Sequence, residues 1–267
     1  MSTSPQAAPD GERIQKALAR AGWGSRREIE RLIASGRIQV NGELAIAGCK
    51  VKPGDRVQID GGRTVRIEGT KEPLRVLLYN KPAGVVCTRS DEQRRPTIFD
   101  KLPRVHAGRW INIGRLDINT SGLLLFTNHG ELAHRLMHPR YRIDREYAAR
   151  IYGEVDAAVL ARLRGGVDID GEIFQFDDIV IGEGEGSNQW YYCVVQSGRN
   201  REVRRLWESQ DVQVSRLMRV RFGNIMLPTD LRGGRQVELG GDLLKELCNL
   251  VGLAAEAPTA PVRSRRD

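Results

Sequence analysis

Cysteine, histidine and aromatic residues are scarce in this chain, and long apolar runs are missing. The four cysteines (Cys49, Cys87, Cys193 and Cys248) lie far apart with no Cys-x-x-Cys pair. That spacing argues against a disulfide framework and a zinc ribbon, fits a reducing cytoplasm, and leaves the cysteines as expected small core residues. The longest apolar stretches, such as residues 123–126, fall far short of the roughly 20 residues a membrane helix needs. Residues 1–11 have neither the basic start nor the apolar run of a secretory signal. His134 and His138 stand four apart, but no third ligand is near and Pro139 follows directly, so they read as helix-end histidines rather than a metal site. The glycine-rich Gly182-Glu-Gly-Glu-Gly186 lacks the Lys-Ser/Thr of a phosphate loop, and its glutamates would repel phosphate, which leaves a surface loop. A Gly-x-Ser-x-Gly nucleophile elbow is also missing.

Positive charge is present in excess. Lys and Arg number 42 against 34 Asp and Glu, a formal charge of +8 over 267 residues. A polyanion suits that surplus, because each phosphate contact releases condensed counterions. Charge alone fits a merely basic globular protein equally well. The length allows one large domain or two unequal ones, and the 40% hydrophobic content is that of an ordinary globular chain.

Residues 1–11 read as a disordered tail and residues 254–267 as a loose basic tail. Residues 12–70 form a compact unit. Ile14, Ala17, Leu18 and Ala21 recur at helical spacing up to Gly22, and Ser25-Arg-Arg-Glu28 opens a second helix as a capping box. A short strand at 38–40, the Asn41-Gly42 turn and the Lys52-Pro53-Gly54-Asp55 turn follow. Arg20, Arg26, Arg27, Arg31 and Arg37 lie along this unit. Their face is a phosphate contact, a solvated charged surface or part of a DNA-type helix-turn-helix.

From residue 73 to 250 the pattern is mixed. Residues 75–79, 122–127, 145–151 and 189–195 read as strands, and 130–138, 156–164, 200–210 and 242–250 as helices. The irregular order predicts an α+β fold with a mostly antiparallel sheet rather than repeated βαβ units.

Three segments could carry chemistry. Gly114-Arg-Leu-Asp-Ile-Asn-Thr-Ser-Gly122 places Asp117 in a polar loop entering an apolar strand. On pattern alone Asp117 is either a turn residue or a carboxylate presented on a rigid scaffold. Gly198-Arg-Asn-Arg-Glu-Val-Arg-Arg-Leu-Trp207 opens a short helix with four arginines: a wet basic face, an RNA contact, or a place where one arginine holds a carboxylate. Arg145-Glu-Tyr-Ala-Ala-Arg150 is a strand whose Tyr147 faces core or cleft.

Together these segments resemble the RNA pseudouridine synthase family, in the branch that modifies ribosomal RNA, and residues 12–60 resemble the S4 RNA-binding domain. The resemblance spans about residues 12–250 and implies a small S4-type domain followed by a catalytic domain with a mixed, mostly antiparallel sheet. It implies an isomerase with Asp117 as nucleophile, Tyr147 stacking on the uracil and serving as a proton acceptor, and Arg204 ion-paired with Asp117. Leu116 and Val203 would wall the pocket, and Arg115 would contact RNA beside the vacated base. Arg26, Arg27, Arg31, Arg37, Arg199, Arg201 and Arg205 are the remaining expected RNA contacts. Cys87-Thr-Arg, the segment Arg95 to Pro103, Asn188-Gln-Trp-Tyr and the segment Val214 to Gly223 are most similar to members acting on large-subunit (23S) rRNA. Small-subunit and other large-subunit sites are the alternatives. Ser197, where the family often has Glu, and Ser121, a Cys position in the large-subunit members, depart from the pattern. The implied partner is ribosomal RNA, without membrane, metal or cofactor, for a monomer in the bacterial cytoplasm. The rival classes are a non-catalytic S4-type RNA-binding assembly factor and a DNA-binding regulator.

Overall fold

The computed structural model describes residues 11–69, 73–105, 108–184 and 188–254. The two expected tails, apart from Gly11 and Ala254, and the end of the Gly182–Gly186 loop lie outside these residues. The chain divides into two units. One comprises residues 1–73 together with 104–110, and the other residues 74–103 together with 111–267.

The first unit contains β1 (Glu12–Arg13), α1 (Ile14–Arg20), α2 (Arg26–Ala34), β2 (Ile38–Val40), β3 (Glu43–Leu44), β4 (Lys50–Val51), β5 (Arg56–Ile59) and β6 (Arg63–Arg66). Helix α2 starts where the capping box places it. The Ser25 hydroxyl accepts from Glu28 N–H at 3.1 Å, and Ser25 N–H donates to the Glu28 carboxylate at 3.2 Å. Asn41 and Gly42, with φ of 53° and 91°, turn β2 into β3, the left-handed pair that matches strand twist in a tight hairpin. Ile14, Leu18, Ile29, Ile38 and Val57 close a small core between the helices and the β3-β2-β5-β6 sheet.

The second unit contains β7 (Val76–Lys81), β8 (Ile111–Ile113), β9 (Ser121–Thr127), α3 (Gly130–Met137), β10 (Arg145–Tyr152), α4 (Ala157–Gly165), β11 (Val167–Ile169), β12 (Glu172–Phe174), β13 (Asp178–Ile181), β14 (Asn188–Val195), α5 (Glu202–Glu208), β15 (Gln213–Phe222), β16 (Ile225–Met226), β17 (Gln236–Leu239) and α6 (Gly241–Asn249). Nine strands make one sheet, in the order β13-β14-β10-β15-β9-β7-β17, with β16 on β15 and β8 on β9. Its pairs are antiparallel except at the centre, where β15 and β9 run parallel for one short stretch.

That parallel seam divides two cores. Leu123 and Leu125 join Leu132 and Leu136 of α3 and Leu244 and Leu247 of α6. Across the seam, Ala149, Ile151 and Cys193 pack with Leu160 and Leu163 of α4 and Leu206 and Trp207 of α5. Strand alternation puts the two helix pairs on opposite faces. Gly122 and Arg219 are register partners, as are Arg219 and Tyr147, so Gly122 shares the α4–α5 face while Leu123 points to α3 and α6.

Candidate active site

One row of the sheet gathers the elements of a site. Lys81 of β7 pairs with Gly122 of β9, Gly122 with Arg219 of β15, and Arg219 with Tyr147 of β10. With strands about 4.8 Å apart, Tyr147 lies roughly 10 Å from the Gly122 backbone. Gly122 has a φ of +100°, and a Cβ there would stand 2.3 Å from the Arg219 carbonyl oxygen and 2.7 Å from its nitrogen. No other residue type fits between β9 and β15 at this point. The glycine closing the Gly114–Gly122 segment is therefore a requirement of the seam.

The loop carrying Asp117 is tied down through its main chain. Thr120 N–H donates to the Asp117 carbonyl at 3.0 Å, and Gly84 N–H to the Ile118 carbonyl at 2.8 Å. Leu116 N–H donates to the Cys87 sulfur at 3.4 Å. Beneath the loop, fully buried Lys81 donates to the carbonyls of Pro82 (3.0 Å), Asp117 (3.1 Å), Ile118 (3.3 Å) and Thr120 (2.8 Å). Burial pushes the Lys81 pKa down, and neighbouring Cys87 and Asp117 oppose that shift. The Cys87 thiol is itself pushed up by burial, against the Leu116 N–H and the cations Lys81, Arg219 and Arg115. Lys81 thus fixes the loop by its peptide carbonyls and leaves the Asp117 side chain free. The half-buried Asp117 carboxylate has no hydrogen-bond or ion-pair partner among the described residues.

Arg204 corrects one expectation. It does not form a direct ion pair with Asp117. Its Nη1 donates to the Val214 carbonyl and its Nη2 to the Asn119 carbonyl, each at 3.1 Å, while Nε is buried without a partner. The guanidinium is committed to main-chain oxygens of β15 and of the loop itself. Burial, with Arg201 second, pushes the Arg204 pKa down, and Asp117 pulls it back.

Arg204 is held there by the way α5 begins. Gly198, at φ +67°, turns against the Arg145 guanidinium. Buried Glu202 then folds back to accept from the Ser197 hydroxyl at 2.5 Å and Arg199 N–H at 3.3 Å. Burial pushes the Glu202 carboxyl up. Val203, Leu206 and Trp207 sink into the core, where the indole meets Tyr191 at 4.9 Å and Phe176 at 5.7 Å. Val203 and Leu116 are both buried. Tyr147 is half-buried at the rim of the same core, so it is not fully enclosed.

The remaining expected contacts are dispersed. Arg115 is exposed. Arg199 and Arg205 both lie over the Phe174 ring, at 4.6 and 4.5 Å, and pair with Glu172 and Asp170. Arg201 pairs with Glu208 at 3.2 Å. Surface pairs of this kind are worth about 0–1 kcal/mol, so phosphate can displace them. In the first unit Arg26, Arg27 and Arg31 are exposed on α2 without carboxylate partners among the described residues. Arg37 pairs with Asp60 at 2.5 Å. Arg109, grouped with this unit, is half-buried, and its pKa is pushed down by burial and by Arg26. Among the described residues no three His, Cys, Asp or Glu side chains form a metal-binding group, and no helix is long and apolar enough to cross a membrane.

Comparison with known proteins gives the family. Residues 75–209 match the family described as RNA pseudouridylate synthase, and residues 12–57 match the S4 domain. The chain belongs to the RNA pseudouridylate synthase family. It is 52% identical over 263 residues to the ribosomal large subunit pseudouridine synthase B of Pseudomonas aeruginosa, covering 97% of this chain and 68% of that protein. It is 51% identical over 247 residues to the protein of the same name in Escherichia coli strain K12, covering 92% and 85%. A crystal structure of a pseudouridylate synthase superposes with a TM-score of 0.61 over 90% of this chain and 99% of the other, at 24% identity. That likeness speaks to the fold.

In this pseudouridine synthase, the sequence motifs led to Asp117, Tyr147 and Arg204 but missed Lys81 and Arg219. Lys81 left one signal, a lysine closing the apolar run Val76-Leu-Leu-Tyr just before Pro82. Arg219 left none. It is 1% exposed, donates to the Leu123 carbonyl at 2.7 Å, and looks in sequence like one more basic residue among several.

Proposed function

We propose that the chain converts a uridine of large-subunit (23S) rRNA to pseudouridine, with the Asp117 carboxylate acting on the ribose of a flipped-out nucleotide in the bacterial cytoplasm. The observation that carries this reading is the state of Asp117: main chain pinned by a buried ammonium, side chain free, Arg204 close by. A group that must attack should be positioned without being consumed by a hydrogen bond.

The reaction balances within the substrate. The C1′–N1 bond breaks, the uracil turns, C1′ bonds to C5, and the C5 proton is lost as N1 gains one. Two routes use the same carboxylate oxygen, attack on C1′ or removal of the C2′ proton. In either route Arg204 steadies the loop that carries this carboxylate, through the Asn119 carbonyl. In this reading Tyr147, half-buried at the core's rim, stacks on the extruded base and accepts the C5 proton, with Leu116 and Val203 as apolar walls. Extrusion costs a few kcal/mol of stacking and pairing. The S4-type domain, residues 12–70, offsets that cost by anchoring RNA through Arg26, Arg27 and Arg31.

Pseudouridine mapping of 23S rRNA incubated with wild type and with Asp117→Ala tests the reading. One large-subunit site modified by wild type alone is the expected result. Modification by the variant at near wild-type rate would remove Asp117 from the chemistry, and a site in small-subunit rRNA instead would overturn the substrate.

A further inference from the structure

The half-sheet β13-β14-β10-β15 buries one face under α4 and α5 and leaves the other open. Register defines the open face. Val180 pairs with Tyr192, Tyr192 with Ala148, and Ala148 with Met218. The neighbouring row holds Trp190, Arg150 and Arg216, and Tyr152 stands beyond it. These side chains alternate with Tyr147, Ala149, Ile151 and Cys193, which point to the catalytic face. Val180 is 53% exposed, Tyr192 40% and Tyr152 54%, and Trp190 is half-buried.

Aromatic residues make up only 6% of the chain, yet three of them crowd this one uncovered face. Exposed apolar clusters of this kind mark interaction sites. Two further observations choose the partner. Arg150 and then Arg216 follow Trp190 along the same row and have no carboxylate partner among the described residues. Gly182, at the edge, keeps the rings clear, since a Cβ there would press to 2.9 Å from the Tyr192 ring and 3.3 Å from Trp190 Cβ. Within the face the acidic residues, Asp178 and Glu146, lie at its other end, where Arg221 holds Glu146 at 2.6 Å, and Glu183 of the edge loop accepts from Trp190 N–H through its main-chain carbonyl. An apolar protein surface would leave the two guanidinium groups uncompensated, whereas a polyanion with planar bases satisfies both features.

We propose that this face is a second RNA-contact surface, on which unpaired bases of the substrate stack on Trp190 and Tyr192 while Arg150 and Arg216 hold flanking phosphates. The proposal rests on rRNA being the substrate. Because the face points away from Asp117, it holds RNA remote from the target uridine and acts on affinity, leaving the chemical step unchanged.

The test is equilibrium binding of the full chain to a large-subunit rRNA transcript across a salt series, with single-turnover rates at saturating protein. Tyr192→Ala and Trp190→Ala should each weaken binding about tenfold, within the range that one lost base stack gives, and Trp190→Phe should retain affinity. Arg150→Gln with Arg216→Gln should lower the slope of log K against log salt by about 1.5. The saturated rate should stay within about twofold of wild type throughout. Unchanged affinity and slope in correctly folded variants overturn the proposal, as does loss of self-association with RNA binding intact, which would make the face a contact between copies. Failure of wild type itself to bind would instead strike at the rRNA reading.

Discussion

The two units use positive charge in opposite ways. On α2 of the first unit, Arg26, Arg27 and Arg31 stand in solvent with no carboxylate partner among the described residues. In the second unit Lys81, Arg204 and Arg219 are buried, and each donates to main-chain carbonyls. An exposed arginine is available to a phosphate, whereas a buried one is committed to shape. A basic count therefore overstates the charge free for RNA, and the committed share is the part that builds the site.

The sharpest way to break that contrast is Lys81→Met. It removes the donor that the Pro82 and Thr120 carbonyls share, at about 1–3 kcal/mol for each buried group left unsatisfied, while the Asp117 and Ile118 carbonyls keep the N–H groups of Thr120 and Gly84. We expect a fall in kcat of more than 100-fold, with RNA affinity within about threefold of wild type and a lowered Tm. Equal losses in kcat and affinity would return Lys81 to general scaffolding.

Next in size is Arg204→Lys, which keeps the charge but cannot reach the Val214 and Asn119 carbonyls together. A kcat loss of about 10- to 100-fold with unchanged affinity is expected from single-turnover kinetics. Full activity would show that the charge alone matters.

On the other side of the comparison, Arg26→Gln, Arg27→Gln and Arg31→Gln combined should leave the saturated rate alone. The salt slope of RNA binding should fall by about 2–3. An unchanged slope would mean that α2 does not meet phosphate.

The smallest effect lies in the 82–103 segment, where Arg95, through its side chain and its N–H, holds the Asp91 carboxyl at about 2 against an ordinary 3.8. A depressed carboxyl contributes stability above its unfolded value and loses it as pH falls through the folded one. Amide exchange at Val86 and Ile98 should therefore quicken between pH 4 and 2, and Asp91→Asn should remove that dependence. Identical exchange profiles for the two proteins would contradict this assignment.

Much of the fold was legible because local rules agreed with it. The capping box at Ser25, the Asn41-Gly42 hairpin and the run 122–127 each carry their structure in a few adjacent residues. Strand β15 does not. It crosses the centre of the sheet, but register shifts near Glu146/Tyr147 and Arg150/Ile151 of its partner break the two-residue alternation that marks a strand. Residues 104–110 group with the first unit through contacts that no local pattern announces. In the site, the motif around Asp117 could be read directly, but the ion pair assigned to Arg204 could not be checked from sequence. Whether a guanidinium meets a carboxylate or a carbonyl depends on where the loop backbone turns, and Lys81, 36 residues from Asp117, sets that turn.

The most direct test of this division measures RNA affinity and single-turnover rate in parallel for Asp117→Asn, whose side chain keeps its size and loses its charge. The account predicts a rate reduced by at least about 10³-fold with affinity within twofold of wild type. A variant that still isomerises at a comparable rate, or that loses RNA binding along with turnover, would contradict it.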